Sequence, residues 1–368
     1  MDQTTSAIES KENFISFVIF IIIAIIVILL IIYIIYLTRL NTSECNTMTN
    51  MYGTLNNKLT SINPSDPDCS GNLYDYYIKT AYNCCSGGSY RNDFVNICNL
   101  KNVLKQGARC LDFQIFSIDD QPVVSTSTSK DFYVKETFNS VKFADVMKTV
   151  TDYAFSSSTA PNYSDPLILH LRFQSNNQRM YSKLAALFKK YESLMLGKEY
   201  SYENNNLNLG KIPLTKFMGK IILIVDRSNT SFMENQQLLE FVNLTSNSIF
   251  MRTYHYYDVK NNPDINELTN YNRTSMTIVF PDNDTNPANP SGYYTRECGC
   301  QMTAMRFQYV DNFLEENTTF FDLCGYAFCL KPAYLRFIPV TIPQPTPQKP
   351  ENSYQTRNVG TDYYNFNF

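Results

Sequence analysis

Residues 106–116 read QGARCLDFQIF, residues 166–174 read PLILHLRFQ, and FADVMKTVTDYAFSSS lies between them at 143–158. The outer stretches are short apolar runs rich in strand-forming residues, and the middle one is amphipathic. The alternation continues outward: Cys110 to Phe116, Phe143 to Phe155, Leu167 to Phe173, Met180 to Leu196, then Lys220 to Val225. Strands alternating with amphipathic helices predict an α/β fold built on a parallel sheet. The folded domain is expected from about residue 71 to 338.

Upstream of it, Phe14 to Leu37 runs for 24 residues without a charge and is dominated by Ile. At about 1.5 Å per residue such a helix spans the roughly 30 Å hydrocarbon core of a bilayer. The run is too long for a signal-peptide core, and no small-residue cleavage site follows it. It is therefore expected to be a single transmembrane helix after an N-terminal tail at 1–13. Lys11 and Arg39 balance each other on its flanks and leave its orientation open. Residues 38–70 are polar, contain Asn-Pro and Ser-Asp-Pro-Asp, and read as a stalk. The Pro-, Gln- and Asn-rich segment 339–368 reads as a flexible tail. An apolar content of 44% is ample for a folded core in a chain of 368 residues. A net charge of −3 carries no basic surplus, which argues against nucleic acid as a partner.

QGARCLDFQIF, followed by QPVV at 121–124, the 143–158 stretch and PLILHLRFQ, resembles the first conserved half of the catalytic barrel of eukaryotic-type phosphoinositide-specific phospholipase C. GCQMTAMRFQ at 299–308 and LCGYAFCLKPAYLRF at 323–337 resemble its second half. Fainter agreement at GKIIL (219–223) and from Asn272 to Pro281 joins the two. The resemblance implies a distorted (β/α)8 barrel of the PLC-like phosphodiesterase type, with an X-like half at 71–227 and a Y-like half at 235–338. It replaces the family's usual accessory modules with the helix at 14–37.

The same resemblance implies a site whose working residues have been exchanged. The family uses two imidazoles for proton transfer around a calcium ion. Tyr82 of YYIKTAYN occupies the first imidazole position and Thr126 the second; neither side chain titrates near neutral pH unless strongly perturbed. The calcium positions correspond to Asn83, Asp112, Gln114 and Arg172, so one carboxylate remains and a cation has entered. Calcium affinity follows the charge of its oxygen ligands, and this set is expected to bind no calcium tightly. The phosphate-binding lysines correspond to Ile224 and Asp226, and the inositol-contacting Arg and Tyr to Ile278 and Phe280. The pocket candidates are Asn83, Asp112, Gln114, His170 and Arg172. His170 and Arg172 share a strand face two residues apart. His170 is expected to be a hydrogen-bonded core residue and His255 a surface or loop residue. Cys298 and Cys300 sit closer together than the usual zinc pairs and are not expected to hold zinc.

These substitutions predict a membrane-anchored pseudoenzyme with a structural or interaction role, partnered by the bilayer through 14–37 and by an unidentified protein. The alternative is a phosphodiesterase or phosphoinositide-binding protein with an altered site. A phospholipase C-like barrel on an N-terminal anchor, in an Asn- and Ile-rich chain, suits a large DNA virus membrane protein, with an AT-rich protist left open. All ten cysteines follow the apolar run. Cys110, Cys300 and Cys324 fall where the family carries buried thiols. The other seven suggest an oxidising compartment, hence a lumenal, extracellular or virion-surface barrel. At least two disulfides are expected, involving Cys69, Cys84, Cys85 and Cys98.

Overall fold

The computed structural model describes residues 2–129, 131–201, 208–339 and 356–367. Eight parallel strands form the barrel: β1 (Tyr76–Ala81), β2 (Cys110–Ile118), β5 (Leu167–Phe173), β6 (Ile221–Asp226), β7 (Leu244–Ser246), β8 (Met251–His255), β9 (Met276–Phe280) and β10 (Met302–Met305). Three further strands, β3 (Gln121–Ser125), β4 (Val141–Lys142) and β11 (Phe328–Leu330), pair outside the ring. The order β7-β6-β5-β2-β1-β10-β9-β8 leaves β7 and β8 unpaired at the two ends, so the barrel is open along that seam. This is the parallel sheet that the alternating pattern predicted, in the distorted (β/α)8 architecture that the resemblance implied.

The alternation along each strand divides the core in two. On β5, Leu167, Leu169, Leu171 and Phe173 face the helix layer, while Ile168, His170 and Arg172 face the barrel axis. On β2, Leu111, Phe113 and Ile115 likewise face outward. Helices α2 (Ile97–Lys105), α3 (Phe143–Ala154) and α4 (Gln178–Lys190) cover this side. In α3 the buried Phe143, Val146, Met147, Val150 and Ala154 form one apolar stripe. Helix α4 starts at Asn177, whose side chain accepts a hydrogen bond from the Arg179 amide.

The N-terminal segment departs from expectation. Helix α1 runs unbroken from Asp2 to Tyr52, so it takes in the predicted tail from residue 2 and nearly half of the predicted stalk. It contains neither Pro nor Gly. Its apolar stretch is exposed, and it is long and apolar enough to cross a membrane. Beyond that stretch α1 lies along α2, buries Met48 and is cross-linked through Cys45–Cys98. The chain then continues along the barrel, burying Leu59 and Ile62; the Thr60 amide donates to Gly325 O and the Ile62 amide to Asp165 Oδ1. What the sequence reads as a stalk is packed structure. Low local periodicity concealed this, because the apolar residues involved are few and widely spaced.

The expected pair of disulfides is present, with Cys98 in one of them, but the other expected partners are corrected. Cys45–Cys98 and Cys324–Cys329 are the disulfides among the described residues; Cys69, Cys84 and Cys85 are buried thiols. Cys69 packs in the barrel interior, whereas Cys84 and Cys85 pack in the helix layer, so these crowded neighbours in sequence do not share a core. Cys324, assigned to the family's buried thiols, is paired. Most of the predicted tail lies outside the described residues. Its last part forms a separate antiparallel hairpin, Asn358–Gly360 with Asn365–Asn367.

Candidate functional site at the barrel mouth

The carboxyl ends of the barrel strands bring most of the expected residues together, as (β/α)8 barrels generally do. Pairing of β2 with β5 sets Asp112 opposite His170 and Gln114 opposite Arg172, all on the inner face. Asp112 is fully buried and forms the hub. Its carboxylate accepts a bidentate pair from Arg172, Nε at 2.9 Å and a terminal nitrogen at 2.7 Å. His170 Nδ1 lies 2.8 Å from the same carboxylate, and the Asn83 amide donates to it at 3.2 Å. Asn83 has φ of +44°, in the left-handed region that Asn tolerates, and its side-chain oxygen accepts from Arg172 at 2.9 Å. Burial alone would raise the Asp112 pKa. The Arg172 guanidinium and the His170 hydrogen bond outweigh it and hold the carboxyl below its usual value.

Two aromatic rings complete the setting of Arg172. Its guanidinium carbon stands 4.7 Å from the Tyr82 ring centroid and 4.9 Å from that of Phe280. A delocalised cation on aromatic faces, locked to a carboxylate, is a stable arrangement for arginine. Burial pushes the Tyr82 hydroxyl above its ordinary pKa. His170 Nε2 is 2.9 Å from Ser246 Oγ, so both ring nitrogens are engaged, as expected of a core histidine.

Several of the other expected positions are also committed. Thr126 Oγ1 donates to Tyr90 O at 3.0 Å. Gln114 exchanges two hydrogen bonds with the Ser127 backbone. Asp226 accepts from the Ser228 amide and from Asn247 Nδ2. Ile224 and Ile278 are buried in the barrel interior below the mouth.

A cavity of about 390 Å³ opens above this network. Tyr82, Gln114, Arg172, Asp226 and Phe280 line it; Asn83, Asp112, His170 and Thr126 stand behind the lining. His255 and Asp258 also line it, which corrects the placement of His255 as a surface or loop residue. His255 is half-buried, stands opposite Phe280 in the β8–β9 register, and its Nδ1 lies 2.7 Å from Pro281 O. Its position at the end of a strand was the available signal. Among the described residues no group of three or more His, Cys, Asp or Glu side chains is placed to hold a metal ion.

Residues 69–227 match the family described as phosphatidylinositol-specific phospholipase C, X domain. Over 154 residues the chain is 29% identical to human inactive phospholipase C-like protein 2, a stretch covering 39% of this chain and 13% of that protein. Among solved structures, PLC21 of L. pealei superposes with a TM-score of 0.59 at 18% identity, and PLC21 of S. officinalis with 0.57 at 19%. Each alignment covers 73% of this chain and 38% of the other, so the chain spans well under half the length of these relatives. The second half of the barrel rests on this likeness of fold. Residues 69–227 are thus similar to the phosphatidylinositol-specific phospholipase C X domain, and the barrel they help to build has the fold of these solved phospholipase C structures.

Proposed function

We propose that the chain is a membrane-anchored phospholipase C-like pseudoenzyme that acts as a structural or interaction protein. The observation that carries this reading is Arg172, locked to Asp112 and stacked on Tyr82 and Phe280 at the barrel mouth. Proton transfer to and from a substrate needs a group that titrates near the working pH. Tyr82 is shifted away from that range, and the Thr126 hydroxyl is spent on a backbone carbonyl. Calcium does not fit the donor set. It seeks several oxygen ligands, whereas Asp112, the one carboxylate among the four family calcium positions, already serves Arg172, His170 and Asn83. The human relative, whose name calls it inactive, is consistent with this reading.

The exposed apolar stretch of α1 supports the anchor, and the two disulfides support a barrel on the lumenal, extracellular or virion-surface side. The Asn- and Ile-rich composition is the ground for placing that membrane in a large DNA virus. Phosphoinositide binding in the cavity is the second reading, favoured by Arg172 and His255 in its wall. Asp226 and Asp258 face the same space and oppose a phosphate.

Calcium tests the ligand argument. A ligand at about 100 times its dissociation constant stabilises the native state by about 2.7 kcal/mol, which moves a melting temperature by several degrees. Millimolar calcium is expected to leave the melting temperature of the chain unchanged in scanning calorimetry. A rise of several degrees would show that the site still holds the ion.

A further inference from the structure

Four side chains gather at the carboxyl ends of β6, β7 and β8, on the side of the cavity that adjoins the open seam. Asp226 ends β6, Asn247 follows β7, His255 ends β8, and Asp258 lies in the short helix Tyr256–Lys260. All four line the cavity, and their existing bonds leave each with an acceptor to spare. Asp226 Oδ1 accepts from the Ser228 amide and from Asn247 Nδ2, and among the described residues no donor reaches its Oδ2. Asn247 spends its nitrogen on Asp226 and on Ser228 Oγ, which leaves its Oδ1. A neutral His255 that donates from Nδ1 to Pro281 O keeps Nε2 as an acceptor. Asp258 Oδ2 accepts from the His255 amide, and its Oδ1 is left. Charge points the same way. Asp226 is only 6% exposed, yet its partners are a backbone amide and a neutral side chain, and a buried charge without a counter-charge is costly. Arg172, the one lysine or arginine in the wall among the described residues, is already matched by Asp112.

We propose that the seam side of the mouth binds an alkylammonium or guanidinium group, the positively charged end of a lysine or arginine side chain or of a free polyamine. Such a group carries several N–H donors and no acceptor, which complements a wall of spare acceptors. It also supplies the counter-charge that Asp226 lacks. A phosphate, with acceptors only, would meet acceptors and negative charge here. The cavity of about 390 Å³ falls in the range of small-ligand pockets, about 300–1,000 Å³. Phe132 in the same wall gives the methylene stem of an extended amine an apolar surface to lie on. The site rests on the proposed interaction role and names the chemistry of what the mouth would hold.

The test is isothermal titration calorimetry on the full chain in detergent micelles at neutral pH. The probes are spermidine, a blocked tripeptide with a central lysine, and inorganic phosphate. At least one of the two cationic probes should bind and phosphate should not. Spermidine binding alone assigns a free polyamine, and tripeptide binding assigns a side chain of a partner protein. Asp226→Asn should weaken the binding by about tenfold or more, since a hydrogen bond to a charged group is lost. Asp258→Asn, at an exposed position, should weaken it in the same direction and guards against misfolding of the first variant. Asp152→Asn, on the exposed face of α3, should leave it unchanged. Failure of both cationic probes, binding that survives both cavity variants, or binding of phosphate in their place overturns the site. Release of inositol phosphates is scored separately. Amine binding together with such release would overturn the pseudoenzyme reading and support the cation site.

Discussion

A fragment beginning at residue 68 is expected to lose most of its stability relative to one beginning at residue 41, both ending at 339. The shorter fragment lacks Met48, Leu59 and Ile62, each almost fully buried. Burying such a side chain is worth about 1.5–3 kcal/mol, so the three together contribute about 5–9 kcal/mol, comparable with the whole stability of a typical domain. The cut also removes the Cys45–Cys98 bond and the Ile62 amide that satisfies the buried Asp165 carboxylate. That carboxyl is already pushed up to about 7, chiefly by burial. Urea unfolding followed by circular dichroism checks this. The longer fragment should unfold cooperatively and the shorter should show no native baseline or a much lower midpoint. Equal midpoints would mean that segment 41–67 is a dispensable stalk after all.

Asp112→Ala is expected to destabilise the barrel by about 3–5 kcal/mol, because it leaves a buried guanidinium without its counter-charge. Arg172→Met strands the carboxylate in turn, although His170 and the Asn83 amide still contact it. The double variant should cost less than the sum of the two single changes, since the partners share one network. The pH dependence has a definite sign. The folded-state pKa of Asp112 is lowered, so its contribution is fully present above its unfolded value of about 4 and lost as pH falls toward the folded value. Removing Asp112 should flatten that acid limb in melts run from neutral to acidic pH. An unchanged acid limb would mean that the Arg172 pairing contributes little.

The barrel was legible because its strands are buried on both faces and read as near-continuous apolar runs, as in IILIVD of β6. The inner face was legible too, since strand alternation places Asp112, Gln114, His170 and Arg172 together once β2 and β5 are neighbours. The closed network was not. That Arg172 reaches Asp112 with both nitrogens, rather than leaving the carboxylate to other ligands, depends on rotamers that Tyr82 and Phe280 fix across the barrel. His255 and Asp258 were missed because RTYHYYD reads as an aromatic surface segment until β8 is known to end there. Disulfide pairing was missed for a similar reason. Cys45 pairs with Cys98 only because α1 continues past its apolar stretch and lies on α2, and a polar sequence at 38–52 gives little sign of a docked helix.

The proposed lack of turnover is measured most directly as release of inositol phosphates from vesicles containing phosphatidylinositol 4,5-bisphosphate, with the full chain reconstituted in the same bilayer. Presenting the substrate in that membrane removes access as an explanation for inactivity. No release above the buffer blank is expected, with or without calcium. Release that scales with the amount of chain and is lost in the isosteric Tyr82→Phe variant would contradict it, and would make the altered mouth an active site.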